Sequence, residues 1–142
     1  NRIQKKLDQF KSSRNTNRSK ILKKLISLKN WKNQFEFIQP RKNLDPSWMV
    51  LPILVNKKYK NVKKKFLNYL DKNGVETRPI ISGSFNNQPS YKLYGFAKYN
   101  QKVFKNSEYV QDHGFVIGLH KHLMKIKTLN RLCKLMLKID EM

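Results

Sequence analysis

One stretch of the chain, GVETRPIISGSFNNQPSYKLYG (residues 74–95), holds the residue types best suited to binding a polar or charged ligand. Its Arg78 precedes a proline and is one of six arginines among 31 basic residues. A planar guanidinium can make a two-point contact with a carboxylate or phosphate, which a lysine cannot. A surface ion pair with Glu76, two residues earlier, is an equally good interpretation of Arg78.

The loop after this arginine, SGSFNNQP, has the features of an anion-facing helix entrance. Its glycine permits close backbone approach, and a helix opening at Pro89 would direct free N–H groups toward a ligand. Asn86 or Asn87 is expected to cap that helix. Short polar side chains and one flat ring are available here: Ser82, Ser84, Phe85, Asn86 and Gln88. A polar surface turn is the alternative, which the residues alone slightly favour.

The three histidines are a weaker candidate for chemistry. His120 and His122 would share one face at the end of a strand, but no carboxylate or thiol completes a set of ligands at a familiar spacing. We therefore expect no metal site. His120 is expected either to contact a ligand or to be hydrogen-bonded at the surface. The acidic residues form no close pair suited to general acid–base catalysis, and the sequence contains no P-loop, GxGxxG or GxSxG motif.

A few helices and strands must position these residues. Hydrophobic spacing predicts a long helix over residues 2–28 with a polar middle, KSSRNTNRSK, which is typical of a helix that bridges two bodies. Further helices are predicted over 57–74, 105–113 and about 125–139, with a short one after Pro89. Strands are predicted over 34–40, 47–55, 75–81 and 114–120. This order predicts an α+β fold in which helices pack on a short sheet.

Single residues refine this assignment. Gly74 fits the left-handed position that ends a helix, and Pro52 is expected to place a bulge or an edge in its strand. The buried stripe of the last helix is expected to comprise Ile126, Leu129, Leu132 or Cys133, and Met136. The lone Cys133 is expected to be a buried, unreactive thiol, since no second cysteine is present to form a disulfide.

The composition restricts the class of protein. With 142 residues, 39% of them hydrophobic, the chain is long enough for one domain with a core. Its net charge of +22 would suit nucleic-acid binding. However, the excess is almost all lysine, accompanied by abundant asparagine and isoleucine, which indicates AT-rich coding more than a partner. The longest apolar run, residues 48–55, is too short to span a membrane. Because the chain begins at Asn1, we expect it to be part of something longer.

A series of motifs then occurs in order along the chain: SWMVLPILV, FLNYLDKNGVETRPI, SGSFNNQPSYKLYG and FKNSEYVQDHGFVIGLH. From about Ile3 to the end, this series closely resembles the C-terminal small domain of the DegT/DnrJ/StrS family. These are pyridoxal-phosphate (PLP)-dependent enzymes that act on nucleotide-linked 4-keto sugars. The sequence looks most like the 4-keto-6-deoxy-sugar 3-dehydratase branch. Related aminotransferases usually carry a His-containing loop in place of SGSF.

The resemblance implies a homodimeric fold-type I enzyme whose large domain binds PLP. Residues 1–28 would be the linking helix, and residues 29–142 the small α+β domain. The residues matching substrate contacts are Arg78, Ser84, Phe85 and Gln88, with His120 nearby. Ser84 replaces the asparagine usual in the family's GNF motif, although a hydroxyl can still bond a sugar oxygen.

The same resemblance places the catalytic lysine or histidine before Asn1, so we expect no catalytic residue in this chain and no activity from it alone. The implied role is the synthesis of surface polysaccharide, such as lipopolysaccharide O-antigen, in the cytoplasm, without insertion into the membrane. Two other hypotheses stay open: a basic nucleic-acid-binding module, and a degenerate remnant that only dimerises.

Overall fold

The chain alternates helices with short strands, and a computed structural model describes residues 2–81, 83–96 and 104–142. The helices are α1 (Arg2–Ile26), α2 (Lys63–Lys72), α3 (Pro89–Leu93), α4 (Lys105–His113) and α5 (Ile126–Leu137). The strands are β1 (Phe35–Phe37), β2 (Val50–Val55), β3 (Thr77–Arg78) and β4 (Gly114–Gly118). Turns of 3₁₀-helix cover Lys57–Val62, Phe85–Asn87 and Lys138–Glu141. This order confirms the predicted α+β fold.

Within the described ranges, the strands form one antiparallel sheet in the order β1-β2-β4-β3. Along β2, buried and half-exposed residues alternate, because successive side chains of a strand point to opposite faces. The buried set, with Phe115 and Ile117 of β4, joins a core completed by α1, α2 and α5. The helices therefore cover one face of the sheet, and α4 lies near β2 and β4.

The helices bury most of the stripes that their sequences predict, but Ile3 and Leu7, which begin the predicted stripe of the first helix, are 69% and 55% exposed. Tyr59, Phe66 and Leu70 are buried in the second helical segment, although its first part is 3₁₀ rather than α. Gly74 follows the end of α2 at φ +76°, as predicted. Ile126 was expected in the buried stripe of α5 but is 68% exposed, so that expectation is wrong. The core contacts of α5 begin one turn later, at Leu129.

The structure also corrects the expectation at Pro52. Pairing of β2 with β4 continues through Pro52 opposite Val116, so no bulge is present, and β2 lies inside the sheet. The pairing with β1, however, ends at Ile53 opposite Phe37. Pro52 therefore lies beyond the last β1 pair, where a strand can lack one N–H donor without losing a ladder bond on that side.

A buried polar contact docks α1 on the rest of the domain. Asn17 is 0% exposed, and its Nδ2 donates to the carbonyl oxygens of His120 at 3.0 Å and His122 at 2.8 Å. Its Oδ1 accepts from the backbone N–H of Met124 at 2.8 Å. The polar middle of α1 is thus partly buried, and it fixes the loop that joins β4 to α5.

A second polar cluster fastens the C-terminus. Asp140 accepts hydrogen bonds from the Tyr59 hydroxyl and, at 2.7 Å, from Nε2 of the buried Gln34. Gln34 also donates to the carbonyl of Asn30 at 2.7 Å and accepts from the N–H of Lys32 at 2.9 Å. Burial raises the pKa of Asp140, but the two hydrogen bonds together with the charges of Lys32 and Lys58 outweigh it, so the net pKa lies below the ordinary value.

Candidate functional site

Arg78 lies on the edge strand β3, opposite Val116 of β4. Its Nε and Nη2 donate to Oε1 of Glu76 at 2.8 and 2.6 Å, and both side chains are exposed. The structure thus contains the ion pair that the sequence allowed as an alternative. Exposed pairs of this kind contribute only about 0–1 kcal/mol, so the guanidinium can exchange Glu76 for another anion at little cost.

The turn after β3 is fixed against α4 by Gln111. Gly83 has φ +71°, and a Cβ at this position would lie 2.8 Å from Oε1 of Gln111. The same oxygen accepts from the N–H of Ser84 at 2.8 Å, and the N–H of Gly83 donates to the carbonyl of Ile80 at 2.9 Å. Only glycine has both the conformational freedom and the small size that this position requires.

A cation supports α4, which carries Gln111. Nζ of Lys63 donates to the carbonyl oxygens of Gln111 at 3.1 Å and Asp112 at 3.0 Å, in the last turn of α4. Cations at helix C-termini are favourable because the last carbonyls have no intrahelical partner. Burial lowers the pKa of Lys63. The loop at Ser84 is therefore positioned through Gln111 and, behind it, Lys63.

Beside this loop is a largely aromatic groove of 430 Å³. It is lined by Ser84, Phe85, Asn86, Tyr91, Phe96, Phe104 and Ser107. The ring of Phe85 is 56% exposed and meets Tyr91 edge-on, with ring centroids 5.7 Å apart. None of the described residues that line the groove is charged.

Ser84 is the most unusual polar residue of this groove. The residue is 1% exposed, and within the described structure its Oγ has no hydrogen-bond partner. Buried hydroxyls nearly always have a partner, and an unmade bond costs about 1–3 kcal/mol. A ligand oxygen or amide that entered the groove could supply the missing bond.

The predicted helix entrance is wrong in its details. Asn86 and Asn87 lie in the 3₁₀ turn and do not cap α3. The N-cap is Gln88, which makes no side-chain capping bond, although Pro89 does open the helix as predicted. With five residues, α3 is also too short to provide a strong helix dipole. Gln88 does not line the groove, and Ser82 lies outside the described residues.

His120 lies in the loop after β4, which ends at Gly118 rather than at residue 120 as predicted. Its Nδ1 faces the N–H of His122 at 3.2 Å, and the two rings are 5.2 Å apart. The loop docks on α1 through Asn17, and none of its residues lines the groove. Within the described ranges, no three potential ligands come close enough to hold a metal ion.

Two functional-looking polar residues were missed by the sequence reasoning. Asn17 falls four residues before Ile21, on the buried stripe of α1, and that spacing could have identified it. Arg18 is also buried; its Nη2 donates to the carbonyl of Ile38 at 2.7 Å, and its guanidinium lies 4.6 Å from the Trp48 ring centroid. Burial lowers the pKa of Arg18. Arg18 stands three residues before Ile21 and seven before Leu25, so the same helical spacing could have identified it.

The architecture is that of a small α+β domain with a polar loop and an aromatic groove at one edge of its sheet. Residues 3–136 match the DegT/DnrJ/EryC1/StrS aminotransferase family. Because the match covers most of the chain, the chain belongs to this family. The family predicted from the motifs is confirmed.

Individual relatives agree with this assignment. The chain is 27% identical over 78 residues to GDP-4-keto-6-deoxy-D-mannose 3-dehydratase of Escherichia coli O55:H7 (strain CB9615 / EPEC), covering 54% of this chain and 20% of that protein. The solved E. coli enzyme with bound hydrated PLP has a TM-score of 0.69 at 24% identity, over 92% of this chain and 32% of that one. Helicobacter pylori PseC, an aminotransferase involved in pseudoaminic acid biosynthesis, has a TM-score of 0.67 at 17% identity, and the match covers 92% of this chain and 33% of PseC. The chain thus spans about a third of the length of these solved relatives.

Proposed function

We propose that this chain forms the C-terminal small domain of a PLP-dependent enzyme acting on nucleotide-linked 4-keto-6-deoxy sugars, as a 3-dehydratase or an aminotransferase. The observation that carries the proposal is the family match over residues 3–136. The relatives described above include both reaction types. One solved dehydratase variant carries bound GDP-perosamine, a nucleotide sugar.

The PLP site that we propose lies outside the described residues of this chain. A lysine that carries PLP as a Schiff base needs an enclosed position and an acidic or basic partner for the ring nitrogen. Every described lysine is exposed or half-exposed. Lys63 is half-buried but donates to two carbonyls, and Lys60 is paired with Asp112 at 2.5 Å. We therefore propose that the cofactor is bound by a large domain preceding residues 1–28, the linking helix, and we nominate no catalytic residue here.

The substrate contacts that we propose are Arg78, Ser84, Phe85, Gln88 and His120. Support is strongest for Ser84 and Phe85, because both line the groove and the Ser84 hydroxyl has a free bonding capacity. Arg78 supports the proposal through its exposed guanidinium, whose ion pair among the described residues is with the exposed Glu76. For Gln88 and His120 the support is the motif alone.

Finer points belong to the same proposal. The enzyme would be a homodimer and would act in the cytoplasm on precursors of surface polysaccharide, such as lipopolysaccharide O-antigen. A direct test is to express the polypeptide with any coding sequence that precedes Asn1, add PLP, and follow GDP- and CDP-linked 4-keto-6-deoxy sugars by mass spectrometry. Loss of water from the sugar, or gain of an amino group, supports the proposal. No conversion of either sugar contradicts it.

Arg78→Lys tests the site within that polypeptide. The substitution keeps the charge but removes the two-point geometry, so kcat/KM should fall while the unfolding midpoint stays unchanged. Arg41→Lys is the matched control, since Arg41 is exposed in the loop between β1 and β2. An unchanged kcat/KM for Arg78→Lys would end its assignment as a substrate contact.

The net charge of +22 keeps a nucleic-acid-binding module as the rival hypothesis. It predicts tight binding to DNA or RNA with a steep dependence on salt. Titration of a labelled duplex and a labelled single strand at physiological salt distinguishes the two. Weak binding without sequence preference would reject the nucleic-acid-binding hypothesis.

A further inference from the structure

The loop between β4 and α5, with the first turn of α5, presents two aliphatic side chains to solvent. Leu123 is 58% exposed and Ile126 is 68% exposed. Ile126 borders two grooves, both lined by cations. One groove contains Lys20, Lys23 and Lys24 of α1, and the other contains Lys127, Arg131 and Lys134 of α5 with Lys138 of the following 3₁₀ turn. We call this surface the basic ridge: Leu123 and Ile126, flanked by Lys20, Lys23, Lys24, Lys121, Lys125 and Lys127.

The exposed position of Leu123 is built into the fold. Asn17 holds the carbonyl oxygens of His120 and His122 and the N–H of Met124, all within 3.0 Å. Because the backbone on both sides of Leu123 is fixed by a buried side chain, the leucine cannot collapse onto the core without breaking these bonds. A single exposed aliphatic is ordinary on a protein surface, but Leu123 and Ile126 are three residues apart and are flanked by cations, and an apolar patch rimmed by polar residues marks a contact surface.

The charge of the basic ridge is one-sided. No Asp or Glu occurs in residues 9–35 or 113–139, the two segments that build this face. In the described structure, ion pairs form at Lys11, Lys60, Arg78 and Lys138; none of these is a ridge residue, although Lys138 lines a neighbouring groove and pairs with Glu141. AT-rich coding explains abundant lysine, but it does not explain why all nine acidic residues lie outside these two segments.

We propose that the basic ridge docks the protein on the surface of a bilayer that contains anionic lipids. Protruding aliphatics can enter the boundary between headgroups and acyl chains while the flanking lysines contact lipid phosphates. Charge complementarity to nucleic acid or to an acidic protein would use the lysines but gives no role to the two exposed aliphatics. The contact is peripheral, since no helix in the described ranges is long and apolar enough to cross a bilayer.

The basic ridge shares no residue with the groove at Ser84. The ridge shares its loop with His120, one of the proposed substrate contacts, but no ridge variant replaces His120 or a residue of the groove, so either proposal can fail alone. If the enzyme proposal holds, membrane docking would place a sugar-nucleotide enzyme next to lipid-linked steps that consume its product.

Flotation of the 142-residue protein with vesicles tests the proposal. We expect binding to mixed phosphatidylcholine and phosphatidylglycerol vesicles, little binding to phosphatidylcholine alone, and weakening with salt. The double variant L123S/I126S should lower the partition coefficient roughly tenfold or more, because two aliphatic contacts are lost. The triple variant K121Q/K125Q/K127Q should lower it roughly a hundredfold, at about a tenfold loss for each 1.4 kcal/mol.

Matched variants elsewhere provide the controls. I3S/L7S removes two exposed aliphatics of α1, and K64Q/K65Q/K72Q removes the same charge from α2. Circular dichroism verifies that each variant is folded. As a second measurement, Leu123→Cys in a Cys133→Ser background carries an environment-sensitive dye, whose emission should shift to the blue only with anionic vesicles.

Three outcomes overturn the proposal. The first is vesicle binding that L123S/I126S leaves unchanged, which would indicate a non-specific polycation. The second is equal losses in the ridge and control triple variants. The third is absence of vesicle binding together with tight binding of a poly-glutamate peptide or a DNA duplex, which would assign the surface to another class of partner.

Discussion

Replacing Asn17 by alanine should destabilise the domain more than any exposed substitution. The side chain is fully buried and makes three hydrogen bonds, two as donor and one as acceptor. At a net contribution of about 1 kcal/mol for each bond, Asn17→Ala should cost about 3 kcal/mol, because the three backbone groups are left without partners. The better helix propensity of alanine recovers only about 0.7 kcal/mol of this.

Urea unfolding followed by circular dichroism measures the loss. With a slope of about 1.5 kcal/mol per molar urea, the midpoint should fall by roughly 1.5–2 M. Asn68→Ala is the matched control, since Asn68 is exposed on α2 and shares only the change in helix propensity. Hydrogen exchange at the Met124 amide should also accelerate. A loss below about 1 kcal/mol, or a loss equal to that of Asn68→Ala, would refute the assignment of Asn17 as the clamp of this loop.

Three further predictions follow from single contacts. Because the pKa of Asp140 is lowered in the folded state, its carboxylate stabilises the fold above the unfolded pKa, and this stabilisation is lost as the pH falls. Asp140→Asn should therefore make the free energy of unfolding less dependent on pH below about pH 4, measured by urea titrations across pH. Gly83→Ala should cost about 1 kcal/mol or more at φ +71° and displace Gln111, seen as a lower melting temperature and altered amide shifts at Ser84. Burial raises the pKa of Cys133 to about 11, so the native thiol should resist iodoacetamide at pH 8 and react only after unfolding in urea.

Most of the fold could be predicted from hydrophobic spacing. The segments at Ile21, Phe66 and Met136 follow helical periods, and Gly74 marks a helix end that the structure contains. The predictions failed where the hydrophobic pattern continues along the sequence but the packing partner in the structure does not extend as far. Ile126 continues the stripe of α5 but lies before the first core contact. Whether Pro52 interrupts the sheet depends on where β1 stops pairing with β2, and the sequence of β2 alone gives no information on that.

The candidate site could be predicted only in part. Ser84 and Phe85 were recognised from a motif, and both line one groove. The role of Gln111, 27 residues away in sequence, depends on the packing of α4 against the loop and has no local signal. For Arg78 the sequence allowed both a ligand contact and an ion pair with Glu76, and it could not decide between them. In the structure it pairs with Glu76.

The central claim is that this domain forms one wall of a sugar-nucleotide site and that the cofactor is held elsewhere. A spectrophotometric titration with PLP tests it most directly, on the 142-residue chain and on the polypeptide that includes any coding sequence before Asn1. The account predicts no stoichiometric cofactor absorbance with the 142-residue chain and one PLP per subunit with the longer polypeptide. Stoichiometric uptake by the 142-residue chain alone would contradict it.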